Sequence, residues 1–285
     1  MASTEPVSLM SVEGVRQWRT DRARAGKRVA LVPTMGNLHA GHEALIAAAR
    51  GQADTVLVSV FVNPTQFAPG EDYAGYPRTF ENDLATAGSA GADAVFAPTP
   101  EVMYPFGSGN ATQVDVPALS GMLCGASRPG HFRGVAGVVL RLFNLVNPDA
   151  AFFGEKDYQQ LLVIRRMVRE LFVPVEILGV QTVREADGLA MSSRNRYLTA
   201  AQRSQAPALY QTLERAAEAL GDGAAVAEVE RAGVSELEKA GFRPEYFEVR
   251  DAQTLAAPTA NHDRIILAAA RLGRTRLIDN VRIAG

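Results

Sequence analysis

With 285 residues the chain is long enough for one large domain or two of ordinary size, and at 47% hydrophobic and 21% charged it can bury a core and is not disordered. A net charge of −2 gives no overall basic footprint for nucleic acid, and the single cysteine, Cys124, excludes an internal disulfide and suits a reducing compartment. No apolar stretch approaches a membrane span, and the polar opening, residues 1–6, lacks the apolar centre of a signal peptide, so the reading is a soluble cytoplasmic protein with neither membrane nor nucleic-acid partners.

Residues 11–25 read as an opening helix, with Val12, Val15, Trp18 and Arg19 at helical spacing and Gly26 at the end. Residues 29–32 form a short apolar run that reads as a buried strand. Pro33 stops it, Gly36 and Asn37 are turn formers, and residues 44–49 have the composition of a helix. His39 and His42 therefore lie three apart on one face of a first helical turn. The N–H groups of a helix start favour anions, two imidazole donors extend such a site, and Gly41 lets a bulky ligand approach the backbone. The pattern is that of a phosphate site without a lysine-bearing P-loop. A lone histidine more often sits on the surface or in a satisfied core, but two of the chain's four, three residues apart straight after a strand, tip the balance to function.

Residues 55–62 form a second buried strand, rich in β-branched residues, ending in Asn63-Pro-Thr-Gln-Phe67. A loop with glycine and tyrosine, residues 69–77, leads to a helix over 79–87, and residues 94–96 are a third strand. The stretch 98–129, rich in Pro, Gly and Ser, is expected to be irregular apart from a strand near 112–116. A helix over 135–146, a strand over 151–153 ending at Gly154-Glu-Lys-Asp157, a helix over 158–172 and a strand over 175–180 complete the first part. This alternation predicts an α/β fold: a parallel sheet with helices on both faces, whose ligands bind beyond the carboxyl ends of the strands. His39 and His42, Asn63 and Gln66, and Lys156 and Asp157 each follow a strand, so they are expected to converge on one edge. After about residue 180 the chain changes to Ala- and Glu-rich helical patterns at 200–219 and 224–240, with strand-like runs at 245–249, 264–267 and 276–279. The expected domains are residues 1–181 and a smaller α+β domain, residues 182–285.

No Gly-x-Gly-x-x-Gly follows a strand and no Gly-x-x-x-x-Gly-Lys-Ser/Thr occurs. His39, His42 and His131 are an alternative three-imidazole zinc set, although the His-Glu-x-x-His helix pattern is missing. Lys156 stands at a strand-to-helix turn, where lysine is a point-charge partner for phosphate, and Met191-Ser-Ser-Arg-Asn-Arg196 offers hydroxyls, backbone N–H groups and guanidinium. Taken alone, Lys156 is better read as a solvated helix-start lysine, and the second stretch also describes an ordinary polar interdomain loop. Gln66 and Gln160 are amides able to bind a carboxylate or hydroxyl.

Seven segments in order carry a resemblance: Pro33-Thr-Met-Gly-Asn-Leu-His-Ala-Gly-His42, Phe61-Val-Asn-Pro-Thr-Gln-Phe67, Tyr76-Pro-Arg-Thr79, Gly130-His-Phe-Arg-Gly134, Phe153-Gly-Glu-Lys-Asp-Tyr-Gln-Gln160, Arg184-Glu-Ala-Asp-Gly-Leu-Ala-Met-Ser-Ser-Arg-Asn195 and Ala270-Arg-Leu-Gly-Arg-Thr-Arg-Leu-Ile-Asp-Asn280. Over nearly its whole length the chain resembles the pantothenate synthetase (pantoate–β-alanine ligase) family. The visible departure is Thr65, where an apolar residue is expected. The resemblance implies a Rossmann-like, nucleotidyltransferase-type domain with a C-terminal lid. It also implies a cytoplasmic homodimer that joins (R)-pantoate to β-alanine with Mg²⁺ and ATP, releasing AMP and pyrophosphate through a pantoyl adenylate. Carried over, Met35, Gly36, Asn37, Leu38, His39, Ala40, Gly41 and His42 bind ATP, with His42 as proton donor. Gly154, Glu155, Lys156, Asp157, Val183, Met191, Ser192, Ser193 and Arg194 line the same site. Gln66, Gln160, Asn63, His131 and Arg133 are expected around pantoate, and Gln66 also at β-alanine; no protein ligand for Mg²⁺ is implied. His39, His42, Lys156 and Arg194 are the catalytic set, expected as cationic donors that offset repulsion between carboxylate and α-phosphate. A nucleotidyltransferase with another substrate and a regulatory ATP-binding module are the alternatives; AMP formation that needs both pantoate and β-alanine separates all three.

Overall fold

The apolar runs of the first half are buried on both faces and can satisfy their backbone groups only by pairing with one another. The computed structural model describes residues 5–68, 70–259 and 262–283; the start of the polar opening and Pro69 of the expected loop lie outside them. Strands β1 (Val7–Leu9), β2 (Val29–Thr34), β3 (Thr55–Val60), β4 (Ala94–Phe96), β5 (Ala150–Gly154) and β6 (Glu176–Val180) form a sheet in the order β1-β4-β3-β2-β5-β6. Every pair is parallel. The order reverses at β2, so the carboxyl ends of β2, β3 and β5 border the crevice where such sheets take ligands.

The longer helices here are α1 (Val12–Arg24), α2 (Ala40–Arg50), α3 (Phe80–Ser89), α4 (His131–Val146) and α5 (Tyr158–Glu170). One sheet face, with Val32, Val58 and Phe152, packs on Leu45 and Ile46 of α2 and Leu84 of α3. The alternate residues Leu31 and Leu57 are buried on the other face, where α4 meets β2 and α1 packs on α4. The expected parallel α/β architecture is thus formed. Two local expectations fail. Residues 112–116 form no strand, because the Thr112 carbonyl accepts from Arg141 Nη2 (2.9 Å) instead of joining a ladder. The stretch around them also carries short helical turns, such as Pro100–Met103 and Pro117–Ser120, in place of a wholly irregular chain.

In the C-terminal part, β7 (Arg243–Asp251), β8 (Arg264–Leu272) and β9 (Thr275–Ile283) make an antiparallel sheet. It shares a core with α6 (Ala208–Gly221) and α7 (Val226–Lys239), in which Leu213, Leu237, Phe247 and Ile266 are buried, as the α+β reading expected. The single helix expected over 200–219 is instead two, Ala200–Gln205 and α6, because Pro207 has no N–H to continue the first. The chain divides into two compact units, one running to Glu155 and including Val163–Gln181, the other comprising Lys156–Leu162 and the residues from Thr182 on. The short segment belongs with the second because Asn280 Nδ2 donates to the Lys156 carbonyl (3.0 Å) and the Tyr158 hydroxyl to the Ala252 carbonyl (2.8 Å).

Candidate functional site

The turn after β2 is held by side chains. Thr34 Oγ1 accepts from the Gly36 N–H (3.1 Å) and donates to the Ser59 carbonyl (2.7 Å). Asp83, on the first turn of α3 and 2% exposed, accepts from the N–H groups of Asn37 (3.1 Å) and Leu38 (2.7 Å) and from Thr79 Oγ1 (3.2 Å). Gly36 has φ +83°, and a Cβ there would lie 2.9 Å from both Asp83 Oδ2 and Val60 Cγ1, so only glycine fits. The chain then enters α2 through a reciprocal cap. His39 Nδ1 accepts from the Gly41 N–H (3.1 Å), and His42 Nδ1 accepts from the His39 N–H (3.2 Å). A nitrogen that accepts carries no proton, so a neutral ring capping in this way has its proton on Nε2. The ring centroids are 4.1 Å apart. Both caps use the Nδ1 atoms, and a ring protonated on both nitrogens could not accept in this way.

Beyond β3, Asn63 is 1% exposed and fully engaged. Its Oδ1 accepts from the Tyr104 hydroxyl (2.5 Å), Thr65 Oγ1 (3.0 Å) and the Thr65 N–H (3.3 Å). Its Nδ2 donates to Gln66 Oε1 and to the Gly134 carbonyl, both at 3.1 Å. In this arrangement Asn63 orients the Gln66 amide. With Oε1 taken, the Gln66 amide turns its Nε2 to Met35 Sδ (2.9 Å), beside the histidine turn. The Thr65 hydroxyl, the departure from the family pattern, donates to Asn63 and lies 3.2 Å from the Tyr104 hydroxyl oxygen. Burial pushes the Tyr104 hydroxyl's pKa up, partly offset by Thr65 and Arg141. Gly134 lets α4 approach this turn, for a Cβ would stand 2.2 Å from the Thr65 carbonyl oxygen.

His131 Nε2 lies 3.0 Å from Arg128 Nη1; a guanidinium only donates, so Nε2 accepts and the Nδ1–H donates to the Gln66 carbonyl (2.8 Å). Both ring nitrogens are thus engaged, and the ring supports the Gln66 backbone. Arg128 also forks onto Glu71, with both bonds at 2.7 Å. Burial would raise the Glu71 carboxyl, but Arg128 more than offsets it and holds it below the ordinary value. Arg133, two residues on and so on another face of α4, bonds Gln113 (3.3 Å) and pairs with Asp115 (3.8 Å).

In the second unit Lys156 Nζ lies 3.8 Å from Asp157, and the lysine side chain is 18% exposed. The bridge Arg184↔Ala190 forms a hairpin that sets the Met191 N–H on the Val183 carbonyl (2.9 Å). Ser192 Oγ accepts from the Arg194 N–H (3.3 Å), starting the short turn Ser193–Tyr197. Val183, Met191, Ser192, Ser193 and Arg194 are half-buried, as is Gln160 on the first turn of α5. The first unit thus brings together Met35, His39, His42, Gln66 and their supports, while the second holds Lys156, Gln160 and the 191–194 segment. Sequence reasoning missed Asp83, Tyr104 and the Glu71–Arg128 pair, and gave Asp279 and Asn280 no role although they close a matched segment.

Among the described residues no three His, Cys, Asp or Glu side chains gather to hold a metal, and the zinc alternative lapses because His39, His42 and His131 are committed as above. A Mg²⁺ carried on ATP phosphates keeps several waters and needs only one or two protein carboxylates. Asp157, half-exposed beside Lys156, has the chemistry for that lesser need.

A doubly wound α/β unit, with a phosphate-suited turn at the carboxyl end of its central strand, followed by an α+β unit, defines the class as a nucleotide-binding α/β enzyme. The sequence profile of the pantoate-beta-alanine ligase family matches residues 8–282, and the chain belongs to that family, a family of ligases. It is 56% identical over 268 residues, 94% of each chain, to the pantothenate synthetase of Shewanella amazonensis. The crystal structure of pantothenate synthetase from Thermus thermophilus is 48% identical, with a TM-score of 0.89 over 98% of this chain and 100% of that one. The pantoate-beta-alanine ligase of Francisella tularensis, complexed with beta-gamma ATP and beta-alanine, is 32% identical, with a TM-score of 0.82 over 97% of each chain.

Proposed function

We propose that this chain makes pantothenate in two steps. A carboxylate oxygen of (R)-pantoate attacks the α-phosphorus of ATP, the bond to the bridging oxygen breaks, and pyrophosphate leaves. The amine of β-alanine then attacks the carbonyl carbon of the pantoyl adenylate and AMP departs with the pantoate oxygen. The observation that carries this reading is the adjacency, at neighbouring strand ends, of an imidazole-capped helix start and an oriented amide, Gln66 against Met35. The first is suited to phosphate oxygens and the second to a carboxylate. Lys156 and Arg194 are assigned the fixed positive charge, Gln160 a further pantoate contact, and Gln66 a contact to β-alanine as well. Mg²⁺, when bound with ATP, neutralises part of the phosphate charge.

The test uses pantoate labelled with ¹⁸O in its carboxylate. One label should appear in AMP once β-alanine is present, and without β-alanine labelled pyrophosphate should exchange into ATP only when pantoate is added. ADP as co-product, with label in inorganic phosphate, overturns the adenylate route. The same reading takes the protein as a cytoplasmic homodimer; among the described residues no helix is long and apolar enough to cross a membrane. Sedimentation at a monomer's mass would remove the dimer.

A further inference from the structure

The last matched segment, which ends at Asp279 and Asn280, has no role in the reaction described above. Along β9 burial alternates until these two positions, where consecutive polar residues are both buried, at 3% and 8% exposed. Buried polar groups need partners, and neighbours on a strand reach to opposite sides of it. Asp279 takes the Arg184 guanidinium on both carboxylate oxygens (2.6 and 3.0 Å), and Arg184 also lies 3.5 Å from the Tyr210 ring centroid. Arg184 Nη1 donates to the Gly188 carbonyl (3.1 Å) within the hairpin whose far side carries Met191–Arg194. Asn280 donates to the carbonyl of Lys156 itself (3.0 Å).

We propose that Asp279 and Asn280 are positioning residues for the phosphate-directed groups of the second unit. Asn280 fixes the backbone from which Lys156 reaches, and Asp279 acts through Arg184 on the hairpin that carries Met191–Arg194. One dipeptide on a rigid strand thus sets two segments that are far apart in the chain. The inference rests on the ATP-dependent function proposed above. Its logic is that preorganised charge is worth most when its support does not move, and that a misplacement of about 1 Å costs on the order of 10²-fold in rate.

The experiment compares Asn280→Ala, Lys156→Ala and the double variant in steady-state AMP formation, with circular dichroism and thermal melts to establish folding. Lys156→Ala should lose roughly 10²–10³-fold in kcat, and Asn280→Ala about 10–10²-fold. The double variant should be no slower than Lys156→Ala alone, because the support matters only through the group it places. Asp279→Asn should raise the KM for ATP and leave the KM for pantoate unmoved. If that variant does not fold, the Asn280 series decides alone. A folded Asn280→Ala with full turnover beside an impaired Lys156→Ala overturns the proposal and leaves the proposed function standing, as do losses that multiply in the double variant. Full turnover in Lys156→Ala removes the role given to that lysine and the inference with it.

Discussion

Replacing Asp83 by alanine tests whether one carboxylate holds the turn that places the histidines. In the folded protein it accepts three hydrogen bonds, two of them from the backbone of Asn37 and Leu38, and it is 2% exposed. A donor left without its partner in such a place costs about 1–3 kcal/mol, so two N–H groups set an upper bound near 6 kcal/mol. Water entering the space freed by the side chain offsets part of this, and we expect a loss of about 2–4 kcal/mol. Against a total stability on the order of 5–15 kcal/mol the variant should still fold at low temperature. Asp83→Asn keeps one acceptor but sets an amide N–H₂ against a backbone N–H, and should be no more stable than the alanine variant. Urea melts read the stability, and calorimetric titration with ATP and with pantoate reads the turn. ATP affinity should fall by about tenfold or more, equivalent to at least 1.4 kcal/mol, with pantoate affinity changed much less. An alanine variant that loses less than about 0.5 kcal/mol, the scale of an ordinary surface change, and binds ATP as before would refute the assignment.

Gln66→Ala should weaken pantoate by about 1–3 kcal/mol while sparing ATP, the scale of one polar partner lost; equal weakening of both in direct titration contradicts it. Gly134→Ala places a methyl group 2.2 Å from a backbone carbonyl oxygen, so α4 or the Pro64–Gln66 turn must move. We expect about 1–3 kcal/mol of destabilisation and a raised KM for pantoate, and unchanged melts would count against the close approach. Asp251 is buried, which raises its pKa, but Thr254, His262 and the Gln253 N–H more than offset this and hold it at about 2 against an ordinary 3.8. A depressed carboxylate stabilises the fold above its unfolded pKa and loses that contribution as pH falls through the folded one. The stability gap between wild type and Asp251→Asn should therefore be constant above about pH 5 and shrink between about pH 4 and 2; a gap independent of pH would show that the carboxylate's charge contributes nothing.

β2 and β3 could be read in the sequence because both their faces are apolar, whereas β1 could not: it is three residues long at the sheet edge, with Val7 half exposed. Residues 112–116 alternate like a strand, yet one guanidinium from α4 takes the carbonyl that a ladder would need. Composition carries no record of such a long-range hydrogen bond. The same limit applies at the site. The histidine pair, Asn63 and Gln66 stood out by residue type and position after a strand. That Asn63 is saturated by Tyr104, Thr65, Gln66 and Gly134, and that Arg133 turns to Asp115, depend on directions of bonds fixed only by the fold. Asp83 is one acidic residue in a helix read only from its pattern, and only its burial beside the Gly36 turn marks it.

The caps on α2 bear on what the histidines do when ATP is cut. Protonating either ring on Nδ1 would set an N–H against an N–H, Gly41's for His39 and His39's own for His42, and release the start of the helix. The fold therefore favours neutral rings with the proton on Nε2. A neutral imidazole that gave up that proton would become an imidazolate. The neutral ring is well suited to donate a hydrogen bond to a phosphate oxygen while keeping the proton. Pyrophosphate can leave as an anion if its growing charge is met, and here the duties divide. On the function proposed above, orientation is assigned to the two histidines and the helix start, and net positive charge to Lys156 and Arg194. On the same reading, neutral donors would spare the pantoate carboxylate a competing ion pair beside the α-phosphate and leave the nucleophile available for attack.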